Sequence, residues 1–371
     1  MIESLIRSGI TILVFLFVLG GLVLIHEVGH FVTARLARVR VLEFGIGFPP
    51  RAKVLRAKGE TLYTLNWLPI GGFVKLEGED GDEEHDPRSF ASQRLPMKLI
   101  ILVAGVAMNL VVSFLIFTGT AMAPQDAIGI RIATVQAGSP ADAVGLKVDE
   151  VIVAIDGHRY GVFDIAPPSQ DPTRDLRARA GQEVTLLVRA ADGTEREVTT
   201  RLRAPDEAPG QGALGIGLAA IVLDGETVAH GLVDAIPKGF DRTGGAFVMI
   251  LGGLGDLGSS IVSNPTAPPP AAGPVGIASQ LGDILWNLGP LYVLYVAGLL
   301  SANLALVNVL PFPPLDGGRM LMLILKALPA GNRISLRAER LTYLVGFVAL
   351  FTFLIWITIF DVGNLLGGGT P

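Results

Sequence analysis

The chain has 371 residues, of which 50% are hydrophobic and only 17% charged; its formal net charge is −5 and it contains no cysteine. A soluble globular domain carries about 25% charged residues, so this balance, with a mean hydropathy of +0.53, excludes an ordinary cytosolic enzyme. The acidic balance offers no basic face to nucleic acid, and the lack of cysteine excludes disulfides, thiolate metal sites and cysteine nucleophiles.

Uncharged residues gather into four blocks, Ser8 to Ile25, Leu99 to Gln125, Ile284 to Leu315 and Leu341 to Phe360. Each reaches the ~18 residues that a membrane-crossing helix requires. The first block predicts a retained span within 1–36 rather than a cleaved leader, because it lacks a small-residue cleavage site and runs straight into His26, Glu27 and His30.

The run His26-Glu27-Val28-Gly29-His30 sets two imidazoles four residues apart, on one helix face and one turn apart. Both can then hold one zinc ion while Glu27 acts on water as the base. The competing reading is a pair of interfacial histidines capping the span, with Glu27 paired to a cation such as Arg35. Segment 37–95 is rich in arginine and lysine, Arg38, Arg51, Lys53, Lys58, Arg88 and Arg94 among them, and is expected on the cytoplasmic side. His85 falls in the acidic run Glu77 to Asp86, which reads as a solvated loop. A second span is expected over 96–122.

Residues 123–204 predict a small mixed domain facing outward, with strands at Ile130–Val135, Val151–Ile155 and Val184–Val188 and turns at Asp156-Gly157 and Asp192-Gly193. Segment 205–286 reads as a linker, an amphipathic helix around Ala235 to Ile261 and a proline-rich extended stretch from Asn264 to Pro274.

The third membrane region, 287–328, ends in Asn308-Val309-Leu310-Pro311-Phe312-Pro313-Pro314-Leu315-Asp316. A catalytic zinc takes three protein ligands and keeps one open position. A carboxylate beside a span is costly, roughly 2.5–3.5 kcal/mol at mid-helix, which makes Asp316 the candidate third ligand. Spans one and three run in the same direction, so the ends that carry His26, His30 and Asp316 lie at similar depth. The alternative for Asp316 is an Asp-Gly turn paired with Arg319. The prolines break the helix, and unwound backbone at that depth is tolerated only where it is buried or lines a wet cavity. Asn308 has two open readings, a donor to a substrate carbonyl or oxyanion and polar glue between helices. Residues 329–371 supply a basic loop, with Arg333, Arg337 and Arg340, and the fourth span. Both termini then face outward.

The HEVGH run, the NxxPxPxLDG pattern at Asn308 to Gly317, Phe44-Gly45-Ile46-Gly47-Phe48, Leu68 to Lys75, Gly273 to Ile277 and the four-span layout resemble the site-2 protease family of intramembrane zinc metalloproteases, in its bacterial regulator of sigma-E protease branch. The resemblance implies that His26, His30 and Asp316 bind zinc, that Glu27 is the general base and that Asn308 assists substrate binding. It also implies a membrane-dipping β-hairpin between about Gly59 and Glu77 whose edge receives an unwound substrate strand. Gly138 to Leu146 and Asp149 to Gly157 resemble the PDZ domains of bacterial proteases, which capture a peptide C-terminus in a backbone nest. The branch carries two such domains where this insert has room for one, and the second-span run Ala104-Gly105-Val106-Ala107-Met108-Asn109 resembles a family signature but has Val106 where proline is frequent.

The expected protein is thus a polytopic α-helical membrane protein of four transmembrane helices, with a membrane-associated β-hairpin and an inserted α+β PDZ-like domain. Its expected activity is hydrolysis of a peptide bond within single-pass membrane proteins, such as an anti-sigma factor or a signal-peptide remnant, in the bacterial cytoplasmic membrane. The PDZ-like domain and both termini would be periplasmic, and the partners would be substrate and lipid bilayer, not nucleic acid. Rival readings are a transporter with a broken third span and a membrane-anchored PDZ adaptor; neither accounts for His26, Glu27, His30 and Asp316 together.

Overall fold

The apolar blocks fold as helices, and the residues that interrupt them decide where each helix ends. The computed structural model describes residues 2–57, 59–79, 86–166, 174–207, 212–264, 268–329 and 334–366; His85, Lys58 and Arg333 lie outside them. In chain order the elements are α1 (Ile2–Leu36), β1 (Val41–Arg56), β2 (Leu62–Leu76), α2 (Leu95–Met122), β3 (Gln125–Val135), α3 (Pro140–Ala143), β4 (Val151–Ile155), β5 (Tyr160–Gly161), α4 (Val162–Ile165), α5 (Arg174–Ala178), β6 (Glu183–Arg189), β7 (Glu195–Arg201), β8 (Ile216–Val228), α6 (Leu232–Ser263), α7 (Pro274–Asn287), α8 (Pro290–Val309), α9 (Asp316–Ala327) and α10 (Leu336–Leu366). They divide into two compact units, Met1–Phe117 with Ala246–Pro371, and Thr118–Gly245.

Among the described residues five helices, α1, α2, α6, α8 and α10, are long and apolar enough to cross a membrane. That is one more than the four uncharged blocks. The addition is α6, whose apolar run is interrupted by Asp241, Arg242 and Asp256. The block Ile284 to Leu315 is also not one helix. Gly289, at φ +97°, and Pro290, which lacks an N–H, separate α7 from α8. Residues 310–315 are non-helical before α9 begins at Asp316, since Pro311, Pro313 and Pro314 cannot supply helical donors.

In the first unit the expected hairpin at Gly59 to Glu77 is one part of a larger sheet that β1 completes. Glu43 pairs with both Leu62 and Lys75, and Ile46 with both Leu65 and Gly72, while Arg51, Lys53 and Val54 pair back onto Asn66, Leu65 and Thr64. β2 therefore folds into two arms with the start of β1 between them, and the arm from Gly72 to Leu76 forms one edge. The Gly- and Pro-rich composition of β1 hid it from alternation-based reading. Gly71 turns the bend at φ +74°, and a Cβ there would lie 2.5 Å from Val23 Cγ1 of α1. Only glycine lets the tip press against the middle of that apolar helix. At the other end Ala34, Val39, Val41, Leu76, Phe90, Ile101 and Leu102 form a buried cluster. Each large member contributes roughly 1.5–3 kcal/mol, which locks the sheet to the ends of α1 and α2 that carry the site.

Two helices define the opposite end of this unit. Asp361 of α10 accepts from the backbone N–H groups of Gly273 and Gly276 at 3.2 and 2.8 Å, satisfying donors at the start of α7. The end of α7 is tied to α1 by Trp286 Nε1 donating to Thr11 Oγ1 at 3.1 Å.

In the second unit the sheet order is β5-β3-β4-β6-β7, with β8 antiparallel along the other side of β3 from Gln125↔Val228 to Val135↔Ile216. The three expected strands and both turns are present, but the sheet runs past residue 204. Of the residues read as the start of a linker, the described 212–215 lead into β8. Ile130 and Ile132 of β3 and Leu186 and Val188 of β6 alternate into one buried core, joined by Ile152 and Ile155 of β4 on either side of a register shift. The first turns of α6 are held by Asp164 of α4, whose carboxylate accepts from Lys238 Nζ at 2.6 Å and Arg242 Nη2 at 3.0 Å and lies 3.0 Å from His230 Nε2.

Candidate metal centre

The helical period carries His26 and His30 to one face of α1, where both are buried, at 6% and 8% exposure. The non-helical stretch after α8 turns the chain back so that α9 opens at Asp316, also buried. His26 Nε2 lies 2.9 Å from Asp316 Oδ2, His30 Nε2 3.2 Å from the same oxygen, and the two Nε2 atoms are 3.1 Å apart. Among the described residues these three are the one group of histidine and acidic side chains that could hold a metal ion.

The donor set fits zinc. Zn–N and Zn–O bonds of about 2.0–2.1 Å in tetrahedral geometry set ligand atoms about 3.3–3.4 Å apart, so the observed triangle needs to open by only a few tenths of an ångström. His30 is oriented from behind, with Nδ1 2.8 Å from the Ile101 carbonyl, which leaves Nε2 free to bind. Gly105 of α2 provides the space, because a Cβ there would strike His30 Nε2 and lie 2.8 Å from His26 Cε1.

Glu27 is half-buried beside this triangle, where it lines an open cavity of about 340 Å³ together with His30, Asp316, Phe48 and the β2 arm from Gly72 to Leu76. Arg319 also lines the cavity, but it pairs with Glu79 and not with Asp316. The Asp-Gly-turn alternative therefore lacks its partner. Asn308 is not brought to the triangle: its amide donates to the Leu304 carbonyl at 3.0 Å within α8. His158 and His230 belong to the second unit, stacked on each other with centroids 5.5 Å apart.

Sequence reasoning missed Asn109, which is fully buried with its amide nitrogen 3.4 Å from His26 Nδ1. Its place in the Ala104 to Asn109 run was the only available signal. A second cavity, of about 400 Å³, lies within the second unit between Leu176 and Arg177 of α5 and the segment Gly212 to Leu218 that opens β8.

The model of peptidase family M50 matches residues 14–353, and so spans most of α1, the first unit's sheet, the metal triangle and more than half of α10. The chain belongs to peptidase family M50. This is the site-2 protease family that the motifs resemble, and membership makes the chain a zinc metallopeptidase of the membrane. Similar proteins cover nearly its whole length. "Putative zinc metalloprotease FN1322" of Fusobacterium nucleatum is 30% identical over 96% of this chain and 99% of its own. A like-named protein of Clostridium perfringens is 30% identical over 92% and 96%. "Probable membrane metalloprotease ARASP2, chloroplastic" of Arabidopsis thaliana is 28% identical over 94% of this chain and 79% of its own.

Proposed function

We propose that this M50 member cleaves peptide bonds within single-pass membrane proteins, with His26, His30 and Asp316 as zinc ligands and Glu27 as the general base. The observation that carries the reading is the convergence of two Nε2 atoms and one carboxylate oxygen within 3.2 Å, with His30 and Asp316 on the wall of a cavity bordered by a sheet edge. Depth supports it: His26 and His30 precede Arg35 by nine and five residues, about 13 and 7.5 Å along the helix, below the level at which a charged side chain meets water.

The number of spans follows from direction. The metal triangle joins the C-terminal part of α1 to the residues after α8, so α1 and α8 cross the membrane in the same sense. α7 is anchored at both ends to residues at the far end, Asp361 of α10 and Thr11 of α1. If α6 crossed, the chain would have to return before α7, and no described residue between Ser263 and Pro274 is helical. Lipid-exposed irregular backbone does not cross a bilayer. In this reading α6 does not cross, and the proposed spans are α1, α2, α8 and α10. The basic residues on the side of the metal triangle, such as Arg38, Arg40 and Arg94, make that side cytoplasmic, and both termini and the second unit periplasmic.

Chemically, zinc supplies a Lewis acid that activates water and polarises the scissile carbonyl. Glu27, beside the ligands, takes the proton from water and returns it to the leaving nitrogen. A helical substrate hides its amides, so the cleaved segment unwinds and is held as an added strand along Gly72 to Leu76, whose outward backbone groups replace the hydrogen bonds it lost. Asn308 spends one amide hydrogen on Leu304 and keeps a second for a substrate carbonyl.

The second unit is PDZ-like in this reading. Its cavity has an apolar wall from Leu176, Leu214, Ile216 and Leu218, a glycine-rich turn at 212–215, and β8 as an edge strand. Those are the parts needed to bind an extended peptide C-terminus freed by a first cleavage. Substrates of the anti-sigma or signal-remnant type, trimmed on the outer side, fit that arrangement. The test is to measure metal content and cleavage together on purified protein given a panel of single-pass segments. Glu27→Gln should abolish cleavage with zinc retained, and Asp316→Ala should lose both. Normal turnover in the first, or unchanged zinc affinity in the second, overturns the assignment.

A further inference from the structure

We infer that Asn109 is a positioning residue for the metal centre: its side-chain oxygen accepts from His26 Nδ1–H and holds the tautomer that presents Nε2 to zinc. The inference rests on the reading of His26, His30 and Asp316 as ligands. An imidazole that binds through Nε2 carries its hydrogen on Nδ1, and that hydrogen needs a buried acceptor. For His30 the acceptor is the Ile101 carbonyl, 2.8 Å from Nδ1. For His26 the group in that place is the Asn109 amide, 3.4 Å away and fully buried.

The amide nitrogen now faces His26 Nδ1, and Asn109 Oδ1 is buried without a partner. This matches the metal-free tautomer, in which Nδ1 accepts from the amide and Nε2–H points to Asp316 Oδ2 at 2.9 Å. When Nε2 becomes a ligand its hydrogen moves to Nδ1, and two donors would then face each other. A half-turn of the amide brings the unengaged Oδ1 to Nδ1 and restores the bond. The side chain is placed for this role, because Ser301 Oγ of α8 donates to the Asn109 carbonyl at 2.7 Å and fixes that turn of α2. Asparagine thus serves both the empty and the loaded histidine, whereas aspartate, an acceptor only, would favour the loaded one.

The experiment measures zinc affinity by chelator competition on the purified full chain, for the parent and for Asn109→Leu, Asn109→Asp and Asp316→Ala. Asn109→Leu should bind zinc about 10- to 100-fold more weakly, the range seen when such orienting partners are removed, while the chelator-treated protein still melts cooperatively, at a lower temperature because His26 Nδ1 loses the amide donor there too. Asn109→Asp should bind zinc at least as tightly as the parent. Parent-like affinity in the leucine variant, or weakened affinity in the aspartate variant, overturns the inference. If Asn109→Leu does not fold, the aspartate variant decides alone. The ligand reading fails separately, if Asp316→Ala still binds zinc like the parent.

Discussion

Replacing Gly105 by alanine adds one methyl group at the closest approach of α2 to the metal triangle. The new Cβ would lie 2.8 Å from His26 Cε1 and closer still to His30 Nε2. The tightest carbon contact would be His30 Cε1 at 2.6 Å, and carbon atoms settle near 3.5 Å or more, so a ring or the α2 backbone must give way by about 0.9 Å. The rings have little freedom, since His30 is held by Ile101 and Asp316, and His26 by Asp316 and Asn109. A reacting constellation tolerates about 0.5 Å of displacement, and about 1 Å costs on the order of 10²-fold in rate. Gly105→Ala should therefore lower kcat/KM by about 10²-fold, or about 2.7 kcal/mol in the barrier, and weaken zinc binding in step. The assay is cleavage of a single-pass substrate at saturating zinc beside a chelator competition, with melting of the metal-free protein as the control. Activity and zinc affinity within threefold of the parent would refute the argument from space.

Proline placed in turn at Phe73, Val74 and Lys75 should alternate in effect, because successive N–H groups of an edge strand point toward β1 and away from it. An inward position lowers thermal stability, whereas an outward one leaves melting unchanged and slows cleavage; if no position slows cleavage at unchanged melting, substrate does not add to that edge. Asp164→Ala should destabilise the second unit by about 1.5–3 kcal/mol at pH 7, the range for a hydrogen bond to a charged group, since it removes the carboxylate that the buried Arg242 and the half-buried Lys238 both meet. Burial pushes the Asp164 carboxyl up, but His230, Lys238 and the Gly161 N–H outweigh it and hold the group well below the usual carboxylate range. Its stabilisation is therefore full above the unfolded value near ~3.9 and is lost as pH falls below that; a parent-to-variant gap in urea melts that already closes at pH 6 would contradict this. Excision of the second unit should leave the chemistry intact and relax selection for trimmed substrates, provided the cut takes β3 through β8 together, because removing 128–203 alone strips β8 of the strand it pairs with. A folded excision variant that cuts untrimmed substrates no faster than the parent rules out gating by this unit.

What the sequence determined by itself is local or periodic. His26 and His30 share a face because a helix repeats every 3.6 residues, and the uncharged blocks carry helices because each is long enough to cross lipid and only a helix satisfies the backbone of a single spanning segment there. Pro311, Pro313 and Pro314 announced a break before Asp316 for the same reason. The turns at Asp156-Gly157 and Asp192-Gly193 follow from the residues that tolerate positive φ, 49° at Asp156 and 85° at Gly193 among them.

Tertiary structure alone decided what depends on partners distant in the chain. Asp316 meets His26 across 290 residues, and Asn109 gains its place from a hydrogen bond to Ser301. β1 is a strand because it sits between two arms of β2, not because its own residues alternate. β8 belongs to the second unit because β3 offers it an open side. α6 is long and apolar enough to be a fifth span; the four-span proposal leans on a tertiary observation, the ties of α7 to Asp361 and Thr11. Long-range pairing leaves no period in a single sequence, since each partner satisfies its own local rules equally well alone.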